Sequence, residues 1–151
     1  MLSRDFKEFA ELLNANGVEY LVVGGYALAA HGQPRYTGDL DLWLRVTPHN
    51  IERVLAALDA FGFGSVGLSA PDFMQPDAVI QLGYPPGRIN LLASTDGVEF
   101  DACYARRLDV LVAGVSLPII GLDDFKTNKR ASGRTKDRAD LEALGEPPDS
   151  A

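Results

Sequence analysis

Two aspartates separated by a single leucine, Asp39 and Asp41 in "GDLDLWL", are the side chains of this chain best suited to chemistry. On a strand, residues two apart share a face, with Cα atoms about 6.5–7 Å from each other. Carboxylates so placed can lean together over one or two divalent cations. Paired cations in phosphoryl-transfer sites stand about 3.5–4 Å apart, a distance two such carboxylates can bracket. Ahead of them the apolar run "VEYLVV" closes on Gly24-Gly25. Glycines at a strand-to-helix turn let backbone amides approach a phosphate, and the dipole of the following helix adds to the attraction. The segment "GGYALA" lacks the third glycine of a dinucleotide fingerprint, and no G-K-[ST] follows it. The alternative for the aspartates is the solvated side of an edge strand. It sits badly with Trp43 on the same face and with leucines on the other. Two carboxylates in a partly covered position repel, and a cation, or the neighbouring Arg35 and Arg45, resolves that repulsion.

A second group of charges lies near the C-terminus. Lys126, Lys129, Arg130, Arg134, Lys136 and Arg138 fall within thirteen residues, opposed there only by Asp137, in a chain whose net charge is −7. That overall charge argues against general affinity for nucleic acid. The basic run is either a solvated helical face or a local surface for phosphates, and charge alone does not choose. On either reading Lys129 is a surface cation, whose loss leaves stability nearly unchanged. His31 ends the short segment after the glycines and reads as a satisfied or surface histidine, His49 as a surface one. Cys103, the single cysteine, reads as a small buried hydrophobe.

The elements that must position these groups follow from hydrophobic spacing. Residues 3–15 predict an amphipathic helix with Ser3 as cap. Residues 18–23 predict a central strand, and the segment after Gly24-Gly25 a short helix. Residues 39–46 alternate, with Leu40, Leu42, Leu44 and Val46 on one face and Asp39, Asp41, Trp43 and Arg45 on the other. Thr47-Pro48 starts a helix that runs to "FGFG". Residues 64–77 read as loop with at most a helical turn. "AVIQLG" and "RINLLAS" predict strands joined tightly through "YPPG". "VLVAGVSLPII" predicts two short strands about Gly114, with Pro118 implying an edge. From Leu122 the chain is helical, broken at Gly133. Residues 1–145 read as one domain and 146–151 as a disordered tail. With 151 residues and 46% hydrophobic composition the expected fold class is α/β, a small mixed sheet flanked by helices. No membrane span or signal-peptide core is visible, and the cysteine count suits the cytoplasm.

The segment "GGYALAAHGQPRYTGDLDLWL" resembles the G-G/S…D-h-D signature of the polymerase-β-like nucleotidyltransferase superfamily. Its similarity is greatest to small bacterial proteins of the minimal and abortive-infection type. "RINLLASTDGVEFDACYARR" and "GLDDFKTNKRASGRTKDRADLEAL" extend the resemblance over most of residues 18–144. It implies a nucleotidyltransferase-like fold, an NTP such as ATP as substrate, and Mg²⁺, as two ions, as cofactor. It also implies roles for individual residues. Gly24 and Gly25 would hold the triphosphate, and Asp39 and Asp41 would ligate metal. Arg35 and Thr37 match an R-x-T/S approach to that strand. Lys129 would meet phosphate or acceptor, in an element completed by Arg134, Asp137 and Asp140. Helix-surface pairing of those last two aspartates with Arg134 and Lys136 is the plainer alternative.

One position departs from the pattern. Where active members carry a third carboxylate this chain has Asn90, whose amide can ligate metal weakly but cannot accept a proton as a general base. Glu99 or Asp101, in the alternating stretch "VEFDA", could replace it if that segment folds back. Two functions therefore compete. One is an Mg²⁺-dependent transferase that moves NMP onto an RNA or protein hydroxyl. The other is a catalytically impaired nucleotide-binding module, or the antitoxin-type partner of a toxin. A purely structural interaction protein would leave Asp39 and Asp41 unexplained.

Overall fold

The structure, a computed structural model, describes residues 2–32, 38–63, 67–83 and 87–146. Among the described residues six strands form one mixed sheet in the order β3-β4-β2-β1-β6-β5, and seven α-helices accompany it. Helix α1 (Arg4–Ala15) starts where Ser3 accepts a hydrogen bond from the Phe6 amide. Strand β1 (Tyr20–Val23) follows, buried along its whole length, as a central strand must be. Helix α2 (Gly24–Ala30) begins without an intervening turn, and β2 (Asp39–Leu44) returns antiparallel to β1. Thr47 caps α3 (Pro48–Leu58), which continues into a wider helical turn, Asp59–Phe63.

A short helix α4 (Ala70–Phe73) precedes the antiparallel pair β3 (Val79–Leu82) and β4 (Arg88–Leu92). Most of the "YPPG" connection between them lies outside the described residues. The chain then forms α5 (Phe100–Ala105), the hairpin β5 (Leu108–Val112) and β6 (Val115–Ile119), and finally α6 (Leu122–Ser132) and α7 (Thr135–Ala143). The β5–β6 turn has Ala113 and Gly114 at φ 51° and 83°. Two central residues at positive φ match the twist of a two-residue hairpin.

The two faces of the sheet are told apart by what they touch. Tyr20 stands opposite Leu44, and its hydroxyl donates to Asn14 of α1. The face of Leu40, Leu42 and Leu44 is therefore the α1 face, and those leucines are at most 1% exposed. Trp43 points the other way and meets Phe100 of α5 edge-on, with ring centroids 5.2 Å apart. Asp39 and Asp41 share this second face by strand period.

Two sequence expectations need correction. The alternating stretch "VEFDA" does not fold back to bring Glu99 or Asp101 into the cleft beside Asn90: Phe100 and Asp101 open α5, in which Phe100 and Tyr104, one helical turn apart, stack on each other beneath Arg45. Pro118 does not mark an edge strand. β6 lies between β1 and β5, and β5 is the edge. The proline is tolerated because β1 and β6 pair only near Val22 and Ile119. The Ile120 amide donates to Val22 there, and two residues earlier, on the same side, no donor is required.

Candidate active site

Strand pairing assembles the site. β2 and β4 run parallel with Asp39 opposite Arg88 and Asp41 opposite Asn90. The aspartates and their two neighbours on β4 thus project from one face. Arg88 Nη2 donates to Asp39 Oδ2 at 2.8 Å, both side chains being 29% exposed. Asn90 Nδ2 donates to Asp41 Oδ1, also at 2.8 Å. On the other flank Val23 stands opposite Asp41, and the next residue must be a glycine. Gly24 has φ +68°, and a Cβ there would lie 2.3 Å from Asp41 Oδ2. The conformation and the close approach each exclude a side chain.

These residues line a cleft of about 380 Å³, whose walls include Gly24, Asp39, Asp41, Arg88, Asn90 and Thr95, and on the α6–α7 side Asn128, Lys129, Arg134 and Lys136. Helix α6 is held against the loop after β4 by Asn128, whose Nδ2 donates to Thr95 Oγ1 at 2.8 Å and to the Asp96 carbonyl at 2.9 Å. Gly97 permits that contact, since a Cβ there would meet Ala131 Cβ at 2.4 Å. The alternation of β4 lays Arg88, Asn90 and Leu92 along the floor.

Lys129 is not the surface cation its sequence neighbourhood suggested. It is 5% exposed, with Nζ 3.0 Å from Asp137 Oδ1 and 3.4 Å from Asp140 Oδ2. Asp137 is 0% and Asp140 3% exposed, so neither belongs to a solvated helix surface, although Asp137 does pair with Arg134 three residues before it. Asp137 also accepts from Ser132 Oγ at 2.7 Å and Arg134 Nε at 2.9 Å. Burial alone would push the Asp137 carboxyl up. The hydrogen bonds from Arg134, Ser132 and Lys129 outweigh it and hold that carboxyl well below the usual range. The cluster ties α6 to α7 across Gly133, which ends α6 at φ 63°. The basic run is further thinned by Glu146, which pairs with Lys126 at 2.7 Å and Arg130 at 2.6 Å. Glu146 is thus anchored, where the sequence suggested the first residue of a tail. Lys136 is different: it lines the cleft and has no ion-pair partner among the described residues.

Of the residues singled out from sequence, Gly24, Asp39, Asp41, Asn90, Lys129 and Arg134 meet in this cleft. Gly25 is buried in the first turn of α2 and does not line it. Arg35 and Thr37 lie outside the described residues. Asp101 pairs with Arg45, beyond the far end of β2, and Glu99 precedes α5. Neither replaces a carboxylate at position 90. His31 Nε2 donates to the Ile120 carbonyl at 2.7 Å, His49 is exposed, and Cys103 is buried with its thiol pushed up to about 11 by burial and the nearby Asp124. Arg88, Thr95, Asn128 and Lys136 were not assigned to the site from sequence. For Arg88 a signal existed: in "RINLL" it stands two residues before Asn90, repeating the period of the aspartate pair.

Hard oxygen donors are what the cleft offers a metal. No group of three or more His, Cys, Asp or Glu side chains converges among the described residues, so the acidic donors are Asp39 and Asp41. Asn90 Oδ1 is buried without a hydrogen-bond partner among the described residues. Two carboxylates with an amide oxygen nearby fit Mg²⁺, which binds through one or two carboxylates together with phosphate and water oxygens.

Residues 2–145 match the family described as "Nucleotidyltransferase of unknown function (DUF6036)", and the chain belongs to that family. Among solved structures it is similar to one from Thermotoga maritima described as a "putative nucleotidyltransferase (TM1012)", with a TM-score of 0.62 and 14% identity over 93% of this chain and 90% of that one. At that identity the likeness shows the fold, a nucleotidyltransferase-like α/β arrangement. None of the curated protein sequences matches the chain. Among the described residues no helix is long and apolar enough to cross a membrane.

Proposed function

We propose, for a chain of this nucleotidyltransferase family, that the cleft binds a nucleoside triphosphate with Mg²⁺ and transfers the nucleoside monophosphate, slowly, to a hydroxyl of RNA or protein. The observation that carries this reading is the approach of Gly24 to Asp41. It sets the start of α2, where a phosphate can reach the backbone, directly against one of two carboxylates that share a face. Asp39 and Asp41 would hold the metal. Bound there, Mg²⁺ would offset charge on the α-phosphate and on the departing pyrophosphate. Lys136, which lines the cleft without an ion-pair partner among the described residues, supplies a cation for the phosphates, and Arg134, partly engaged by Asp137, a second. Lys129 orients this wall from behind.

In the reaction the acceptor oxygen attacks the α-phosphorus, the bond to the bridging oxygen breaks, and pyrophosphate leaves while the hydroxyl proton is taken up. The last requirement limits the rate. Asn90 directs its N–H to Asp41 and has no basic atom, and general-base assistance is worth roughly 10²–10⁴-fold. The same observation favours a second reading, a nucleotide-binding module with transfer lost, acting as the antitoxin-type partner of another protein. Calorimetry with NTP and Mg²⁺, beside α-labelled NTP incubated with cell extract, separates them. Binding with slow labelling that rises in Asn90→Asp supports the transferase. Binding with no labelling in either form supports the module. Absence of NTP binding would sink both.

A further inference from the structure

Arg88 stands where the aspartate pair needs a cation. Its Nη2 is 2.8 Å from Asp39 Oδ2, and backbone register delivers it there, because Asp39↔Arg88 and Asp41↔Asn90 are successive same-face pairs of β2 and β4. It is not a rim side chain that happens to reach in. The guanidinium keeps its charge at any pH at which the protein is folded. Two buried atoms on this strand face lack hydrogen-bond partners among the described residues, the donor Arg88 Nε and the acceptor Asn90 Oδ1. Asp39 thus has a guanidinium at hydrogen-bonding distance on β4, while the β4 residue that hydrogen-bonds Asp41 is a neutral amide.

We propose that Arg88 is the resident cation of Asp39, so that the cleft takes one divalent ion, on the Asp41 side, rather than two. This rests on the nucleotide–Mg²⁺ reading above. Counted by themselves, Asp39, Asp41 and Arg88 carry a single negative formal charge. One divalent ion turns that into a single positive charge, which a triphosphate readily offsets. A second ion would have to share Asp39 with a guanidinium at hydrogen-bonding distance, and like charges that close oppose each other. Arg88 is thus a positioning residue: it holds Asp39 and sets the number of metal ions without touching the reacting atoms.

The test uses Mn²⁺ as the probe. It is titrated into the full chain saturated with a non-hydrolysable nucleoside triphosphate, and free ion is followed by electron paramagnetic resonance. The nucleotide alone is measured as a reference. We expect one Mn²⁺ per parent chain, one in Arg88→Lys, which keeps the charge, and two in Arg88→Gln. The added ion should disappear in Arg88→Gln combined with Asp39→Asn. Thermal melts identify any variant that has lost its fold, and the Lys variant with the parent still decides the count if Arg88→Gln fails to fold. Two ions in the parent, or a folded Arg88→Gln that still binds one, would overturn the role of Arg88 and leave nucleotide binding standing. A parent that binds neither nucleotide nor Mn²⁺ would overturn the functional reading and this proposal with it.

Discussion

The chain contains two acidic pairs built on opposite plans. Asp39 and Asp41 lie two apart on a strand, and Asp137 and Asp140 three apart on a helix, so that each pair presents both carboxylates to one side. Each pair meets a cation from another element, Arg88 in the first case and Lys129 in the second. The helical pair is sealed: Lys129, Asp137 and Asp140 are all at most 5% exposed, and Asp137 has further donors in Ser132 and Arg134. The strand pair is open, 29% exposed at Asp39. Identical chemistry thus serves as a staple where it is dry. It serves as a site where it is reachable.

The sharpest way to break this comparison is to remove Lys129. Two buried carboxylates would lose their shared cation, and Lys129→Ala should cost about 3–5 kcal/mol, the range for breaking a buried pair from one side. Thermal or urea unfolding reads it directly, and a loss under 1 kcal/mol would mean that the cluster is not a staple. Asp137→Asn is milder, since Asp140 still faces Lys129, and should cost roughly 1.5–3 kcal/mol at neutral pH, the range for a hydrogen bond to a charged group. Because the folded pKa of Asp137 is depressed, its contribution is complete above the unfolded value of about 3.9 and fades as pH falls toward the folded value. The stability gap between parent and Asp137→Asn should accordingly narrow on acidification below about pH 4. A gap that stays constant down to pH 2 would contradict the shift.

The open cluster should respond in function before stability. Gly24→Ala forces a side chain into positive φ and against Asp41, with a cost of roughly 1–3 kcal/mol, and should abolish Mn²⁺ binding because Asp41 must turn away. Retained metal affinity in a folded Gly24→Ala chain would dissociate the glycine from the site. The smallest structural effect belongs to Lys136. Lys136→Ala should leave stability within about 0.5 kcal/mol, yet weaken NTP binding about tenfold, as loss of roughly 1.4 kcal/mol of a charge-assisted contact implies. Calorimetric titration that finds parent-like affinity would return Lys136 to the solvated face of α7.

Short-range periodicity decided the parts of this protein that depend on neighbours in the chain. Alternation through residues 39–46 put Asp39 and Asp41 on one side and the leucines on the other. Ser3 and Thr47-Pro48 announced helix starts, and Gly133 announced the break between α6 and α7, because cap geometry is local. Gly24 was legible as a glycine that something required, though the carboxylate it makes room for was not. What the amino-acid order left open was every choice between surface and interior for a charged side chain. A lysine followed eight and eleven residues later by aspartates reads the same in solvent or in a dry cluster. Only the packing of α7 on α6 removes the water. Asp101 offered an acid of the right type, but the aromatic stack of Phe100 and Tyr104 turned its segment into a helix beyond the far end of β2. Arg88 became the partner of Asp39 through parallel pairing of strands 49 residues apart. That register is a property of the whole sheet, since it is set by which hydrophobic faces must coincide rather than by either strand alone.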